Sequence, residues 1–349
     1  MRVGNREYRV KSGLTIFLAI SVASALAILF LAADPDTWTN LRRIRPQYAV
    51  LALVLMAAQW SFNAIRFKIL VNSLNNSVSF TTSLRAFMTN VFAAAVTPSQ
   101  TGGGAMQIYV LNRAGVPVAR AFAGCLMGAM LSVFCLVTST LAILFLKPGF
   151  RIELGQNLAS VLIVAAGACV ILAILFVLSI FKIGLVKRWV GRSLLVLTLA
   201  LKAEKRLALT KRVLTGLDQY RECLSVFVRT KKQRLLLALV FTLAGIATNS
   251  LIALVLLTGL DVEFDVANVY LAQFVLFFIA YFGPTPGASG IAEFSNFWVL
   301  SSLDIQSNML GVYTLMWRFF TSFIGVAVGG LIVLTLIAKH RSKSRASRV

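Results

Sequence analysis

Twice along this chain a hydrophobic stretch is broken by a Thr-Pro pair and glycines, first at Thr97-Pro98-Ser99-Gln100-Thr101-Gly102-Gly103-Gly104 and again at Pro284-Thr285-Pro286-Gly287-Ala288-Ser289-Gly290. A shift of 188 residues lays Thr97-Pro98 on Thr285-Pro286, Gly102 on Gly290, and the apolar stretch from Tyr48 on the one from Leu236. Few other identities survive that shift. Paired, interrupted apolar segments in two halves of a chain point to a site at the membrane midplane, because discontinuous helices expose backbone groups there that unbroken helices bury in their own hydrogen bonds.

The solvent that such segments need is lipid. With 58% hydrophobic and 13% charged residues and a mean hydropathy of +0.84, the 349-residue chain has too little polar material to cover a soluble globule. The formal net charge of +22 does not call for nucleic acid, because the basic residues concentrate in the tails and in one internal block, as in a topology signal. Cys125, Cys135, Cys169 and Cys223 follow no metal-ligand spacing, so neither a zinc site nor any other cofactor is expected.

Windows long enough to cross hydrocarbon cover 14–32, 48–70, 118–146, 157–181, 235–258 and 308–338. The first reads as a retained span rather than a cleaved signal. The broken segments 80–112 and 266–303 read as pairs of short arms, although full crossings by 80–96 and 266–283 stay open. The expected fold is therefore an all-α polytopic membrane protein with six full spans and two re-entrant helical hairpins in an inverted-topology repeat. Its parts are an N-terminal span and external loop (1–47), repeat 1 (48–147), an extra span with a basic amphipathic segment (148–234), repeat 2 (235–338) and a basic tail (339–349).

Charge orients this plan. The block Lys182 to Arg234 holds fourteen Lys/Arg against three acids, whereas Gly259 to Asp265 carries three acids and no base. Both termini and the basic block are expected on the cytoplasmic side of a cell membrane. Leu209, Val213, Leu217, Tyr220, Leu224 and Phe227 recur at helical spacing within the block, as in a helix lying on anionic lipid.

Few residues in the apolar segments carry charge. Glu293 follows the second break by one turn, where it can cap the helix starting at Gly290, serve a functional role, or both. Arg318 lies too deep in the last span to reach water and needs a partner, for which Glu293 is the obvious candidate. Gly311, Thr314, Arg318, Ser322, Gly325 and Gly329 form a small and polar stripe that should pack inward, and Gly124, Gly128 and Ser132 a second stripe read as packing alone. Gln100, Thr101, Gln107 and Tyr109 surround Gly102, Gly103 and Gly104 with neutral donors and acceptors. Thr285, Gly287, Ser289 and Gly290 supply the facing turn. Helix starts near Gly102 and Gly290 should aim free N–H groups at an anion. Asn63, Arg66 and Lys68 fall where an inner interface is expected; Arg66 reads first as an anchor and second as a phosphate receptor.

On Asn63-Ala64-Ile65-Arg66-Phe67, Pro98 to Gly104 running into Gln107-Ile108-Tyr109-Val110-Leu111, Pro284 to Glu293, and Arg318, the chain resembles the lysylphosphatidylglycerol synthase transmembrane family, also called the flippase-like domain family. The resemblance covers most of the chain. It implies an eight-segment membrane domain with two re-entrant hairpins that, in bifunctional relatives, moves aminoacylated phospholipid between leaflets. No synthase half follows the last span, so aminoacyl transfer is not expected. Many members carry an acid and an Arg after the first glycines, where this sequence has Ala105 and Gln107, which argues against a cationic aminoacyl headgroup.

The leading expectation is a lipid translocase, flippase or scramblase, that binds an anionic phospholipid or polyprenyl phosphate headgroup through Arg66, the two turns, Glu293 and Arg318. No nucleotide-binding loop is present, so uphill transport would need an ion gradient or a partner, with Glu293 as the proton-coupling candidate. One alternative is an accessory protein that docks an envelope-synthesis enzyme; homo-oligomerisation is also open. An intramembrane enzyme fits less well, because the only histidine, His340, lies in the tail and no two carboxylates sit together in the spans.

Overall fold

A computed structural model describes residues 45–153, 156–181, 188, 222, 227, 231–303, 305 and 307–346. The expected span 14–32 and nearly all of the amphipathic basic segment lie outside the described residues. Within them every regular element is helical: α1 Pro46–Asn72, α2 Phe80–Ala95, α3 Thr101–Arg113, α4 Val118–Leu146, α5 Pro148–Glu153, α6 Gln156–Phe181, α7 Lys232–Gly259, α8 Val266–Tyr281, α9 Ile291–Ser301, α10 Ser307–Arg318 and α11 Ile324–Ala346. Among the described residues four stretches are long and apolar enough to cross a bilayer: α1, α4, α7 and Met309–Leu336, which runs from α10 into α11 through a π-helical turn at Phe319–Phe323.

Local chemistry sets the helix ends. Pro46 occupies the first turn of α1, where its missing N–H is not needed. The Ser79 hydroxyl caps α2 by accepting from Thr82 N–H, and the Asp265 carboxylate caps α8 by accepting from Ala267 and Asn268 N–H at 2.8 and 3.2 Å. The arms α2 and α3, and likewise α8 and α9, pack against each other across the two breaks.

The bundle is organised by α1 and α7, which run antiparallel along their whole length. Arg234 donates to the Asn72 carbonyl at one end, Gly245 packs against Asn63 in the middle, and Gly259 meets Tyr48 at the other. Beyond Gly259, Arg45 pairs with Asp261 at 3.6 Å. Along α4, Gly124 meets Val71 and Gly128 meets Phe67, so α4 also lies antiparallel to α1. An apolar core joins α1, α4, α7, α8, α9 and α10 around Leu136, Leu256, Val275, Leu300 and Tyr313. The outer faces stay apolar, with Val54, Val164, Leu236 and Leu331 each more than half exposed, as suits lipid.

Van der Waals packing of small residues, rather than hydrophobic burial, joins helices in lipid. On the glycine stripe of α11, Gly325 faces Val91, and a Cβ at Gly329 would overlap the Met88 carbonyl oxygen of α2. That oxygen belongs to helix backbone and cannot turn aside. Gly329→Ala should therefore destabilise the purified protein by about 2 kcal/mol, as overpacking does. Gly104→Ala meets nothing within 4 Å and should melt like the wild type in the same detergent.

Candidate functional site

The two breaks share a backbone. Each starts with a threonine in extended conformation, continues into a single 3-10 turn, and places two successive residues in the left-handed region: Ser99 and Gln100 at φ 49° and 57°, Gly287 and Ala288 at φ 56° and 54°. The 188-residue shift read from sequence carries Ser99 onto Gly287 and Gln100 onto Ala288. The turns also touch. Ser99 N–H donates to the Pro284 carbonyl at 3.0 Å, and the Gln100 amide donates to the Ala280 carbonyl at 3.1 Å.

The second turn is held by an ion pair. Glu293 is fully buried, and its carboxylate accepts from Gly290 N–H through one oxygen and from Arg318 Nε through the other, both at 2.8 Å. Capping and pairing with Arg318 thus fall to the same group. Arg318 also donates to the Gly287 carbonyl at 2.8 Å, to Ser289 Oγ at 3.4 Å and to Ser322 Oγ at 2.9 Å. The π-helical turn begins at the next residue, Phe319. Thr285 and Ser289 spend their hydroxyls inside the turn, on the Ser289 and Pro286 carbonyls.

In the first turn Thr97 Oγ1 accepts from Gly102 N–H at 2.9 Å and donates to the Ala93 carbonyl. The expectation of free N–H groups at Gly102 and Gly290 is therefore corrected: the chain's own side chains occupy both. Gly103 packs against Asn90, whose amide donates to Gln107 Oε1 at 3.2 Å.

Between the two turns and helices α1, α4 and α7 lies a cavity of about 770 Å³. Its lining includes Gln59, Asn63 and Arg66 from α1, Asn90 from α2, Gln100, Thr101, Gly104 and Gln107 from the first break and α3, Ser132 from α4, Asn249 from α7, and Tyr281, Gly287, Arg318 and Ser322 from the second half. Among the described residues Arg66 and Arg318 are its charged lining residues, and no described Asp or Glu lines it. The volume falls within the roughly 300–1,000 Å³ of small-molecule sites.

Sequence-expected residues divide around this space. Arg66, Gln100, Thr101, Gly104, Gln107, Gly287 and Arg318 line it, whereas Gly102, Gly103, Thr285, Ser289, Gly290 and Glu293 stand behind it and shape the turns. Tyr109 faces outward, its ring against Arg113. Arg66 departs most from expectation: it is not an interfacial anchor but 7% exposed, donating to Ser132 Oγ at 2.7 Å midway along α4. Ser132 therefore does more than pack. Asn90, Asn249 and Tyr281 had not been anticipated; each is a polar residue in an apolar helix, which is the one signal that could have found them.

Comparison with known proteins fits this arrangement. The family model for the lysylphosphatidylglycerol synthase TM region matches residues 16–329. The chain belongs to that family. A membrane protein of the UPF0104 group from Archaeoglobus fulgidus is 26% identical over 333 residues, covering 93% of this chain and 98% of its own length. The family match spans both broken helix pairs, so the turns, the ion pair and the cavity all lie in the lysylphosphatidylglycerol synthase TM region itself.

Proposed function

We propose that the protein is a lipid translocase that passes a phospholipid or polyprenyl phosphate headgroup between leaflets through the cavity while the acyl or prenyl chains stay in lipid. The observation that carries this reading is a cavity that bears two guanidinium groups and, among the described residues, no carboxylate, set between helices whose outer faces are apolar. Such a space suits an anionic group that must cross hydrocarbon. The family context supports it.

The reading treats α2 with α3 and α8 with α9 as re-entrant hairpins in an inverted repeat, flanked by six spans. Arg120 at the start of α4 donates to the Asn75 carbonyl just beyond α1, which supports both ends of the first hairpin lying on one side. That rim also carries Arg113, Lys231 and Arg234, and the opposite rim carries Asp261, Glu263 and Asp265, so the basic rim is taken as the cytoplasmic face of the cell membrane.

The test is leaflet exchange of fluorescent anionic and zwitterionic phospholipids and of a polyprenyl phosphate in liposomes holding the purified protein. Gly104 lines the cavity and has open space where a side chain would start. Gly104→Phe should therefore abolish exchange while leaving the melting temperature unchanged. No exchange of any lipid by folded protein, with or without an imposed proton gradient, would turn the reading to an accessory role.

A further inference from the structure

The two cationic groups of the cavity are not equivalent. Arg318 is neutralised in contact by Glu293 and holds the second turn through Gly287, Ser289 and Ser322. Its hydrogen bonds and its charge both go to protein groups, which makes it part of the wall. Arg66 has no acid. Its one hydrogen bond runs to the neutral Ser132 hydroxyl, its guanidinium lies 5.1 Å from the Phe67 ring, and Nε makes no hydrogen bond. Among the described residues the titratable groups that act on it are the phenol of Tyr281 and the thiol of Cys135, neither of them an Asp or Glu.

A buried cation without a counter-charge is among the costliest arrangements in a low-dielectric interior. It becomes favourable when an anion arrives, and a guanidinium presents its donors in a planar fork that matches two phosphate oxygens. The same cavity is also lined by Gln59, Asn63 and Asn249, which are neutral hydrogen-bonding side chains. A positively charged substituent on the same headgroup would find no carboxylate among the described residues that line the cavity.

Resting on the translocase reading, we propose that Arg66 is the phosphate seat of the cavity, and that the cavity selects headgroups whose net charge is negative over zwitterionic and cationic ones. Phosphatidylglycerol and a polyprenyl phosphate share the required chemistry. A lysyl ester of phosphatidylglycerol does not, although the family takes its name from that lipid.

The proposal is tested by binding to the purified, detergent-solubilised full chain, read by native mass spectrometry with phosphatidylglycerol, phosphatidylcholine, lysylphosphatidylglycerol and a short polyprenyl phosphate. Arg66→Gln should lower binding of the two anionic lipids about tenfold or more, the size of a lost charge-assisted hydrogen bond, and bring all four lipids level. Arg66→Lys should keep the preference with weaker binding. The Arg66→Gln protein should melt no lower than the wild type in lipid-free detergent, since an uncompensated charge has been removed. A merely structural role would instead lower the melting temperature. Equal binding of all four lipids by wild type, or an anionic preference that survives Arg66→Gln, would overturn the proposal. Anionic preference without leaflet exchange would leave the seat standing and sink the translocase. Exchange that ignores headgroup charge would do the reverse.

Discussion

Glu293→Ala should destabilise the purified protein by about 3–5 kcal/mol, the range for removing one partner of a buried ion pair. The cost comes from what stays behind. Arg318 is 5% exposed and would keep its charge among apolar helices, beside the carbonyl and hydroxyl acceptors of Gly287, Ser289 and Ser322. Gly290 N–H would lose its acceptor at the start of α9 as well. Glu293→Gln should do less harm, because the amide oxygen can still accept from one of the two donors. The decisive comparison is the double substitution of Glu293→Gln with Arg318→Met, which removes both charges and keeps the volume. It should recover most of the loss, because the penalty lies in the orphaned charge more than in the lost attraction. Thermal melting of wild type, Glu293→Gln, Arg318→Met and the double variant in one detergent closes the cycle. A Glu293→Ala protein that melts with the wild type would show that Arg318 finds its counter-charge elsewhere.

This ion pair was legible in the sequence, because an acid and an arginine inside apolar stretches have few alternatives to each other. The breaks were legible for a similar reason: Pro and Gly together end helices wherever they occur, and their recurrence marked corresponding positions that prove to share left-handed residues, Ser99 with Gly287 and Gln100 with Ala288. The burial of Arg66 was not. On its own helix it stands two residues from Lys68 near the end of an apolar run, which is the pattern of an interfacial anchor. Its partner Ser132 lies 66 residues away on α4 and is brought to it only by the close approach of Gly128 to Phe67. Contacts of that kind depend on helix register, and apolar periodicity in a lipid-facing bundle does not report register, because both faces of a helix are apolar. Gln273, Asn296 and Tyr313 make the same point. All three are wholly buried, yet each appears in sequence only as a polar residue in an apolar helix.

The other large effect should come from a single methyl group. Gly290 holds φ 82° and ψ −50°, close to the rare γ-turn geometry that an L side chain enters only under strain. Gly287, three residues earlier, holds φ 56° and ψ 24°, an ordinary left-handed conformation that asparagine accepts. Gly290→Ala should therefore cost about 3 kcal/mol, the upper end of the range for strained backbone, and Gly287→Asn less than about 1 kcal/mol. The contrast matters because the Gly290 conformation sets where the clasp closes. Its N–H must point at Glu293 while the Gly287 carbonyl points at Arg318, and both bonds are 2.8 Å long. A side chain at Gly290 can be relieved only by rotating φ toward negative values, which turns that N–H away from the carboxylate and loosens the wall of the cavity. Loss of stability and loss of leaflet exchange should thus appear together in Gly290→Ala, whereas Gly287→Asn should keep its melting temperature. Equal melting of both variants would mean that the turn has room to refold around a side chain, and that Gly290 is not what fixes Glu293 in place.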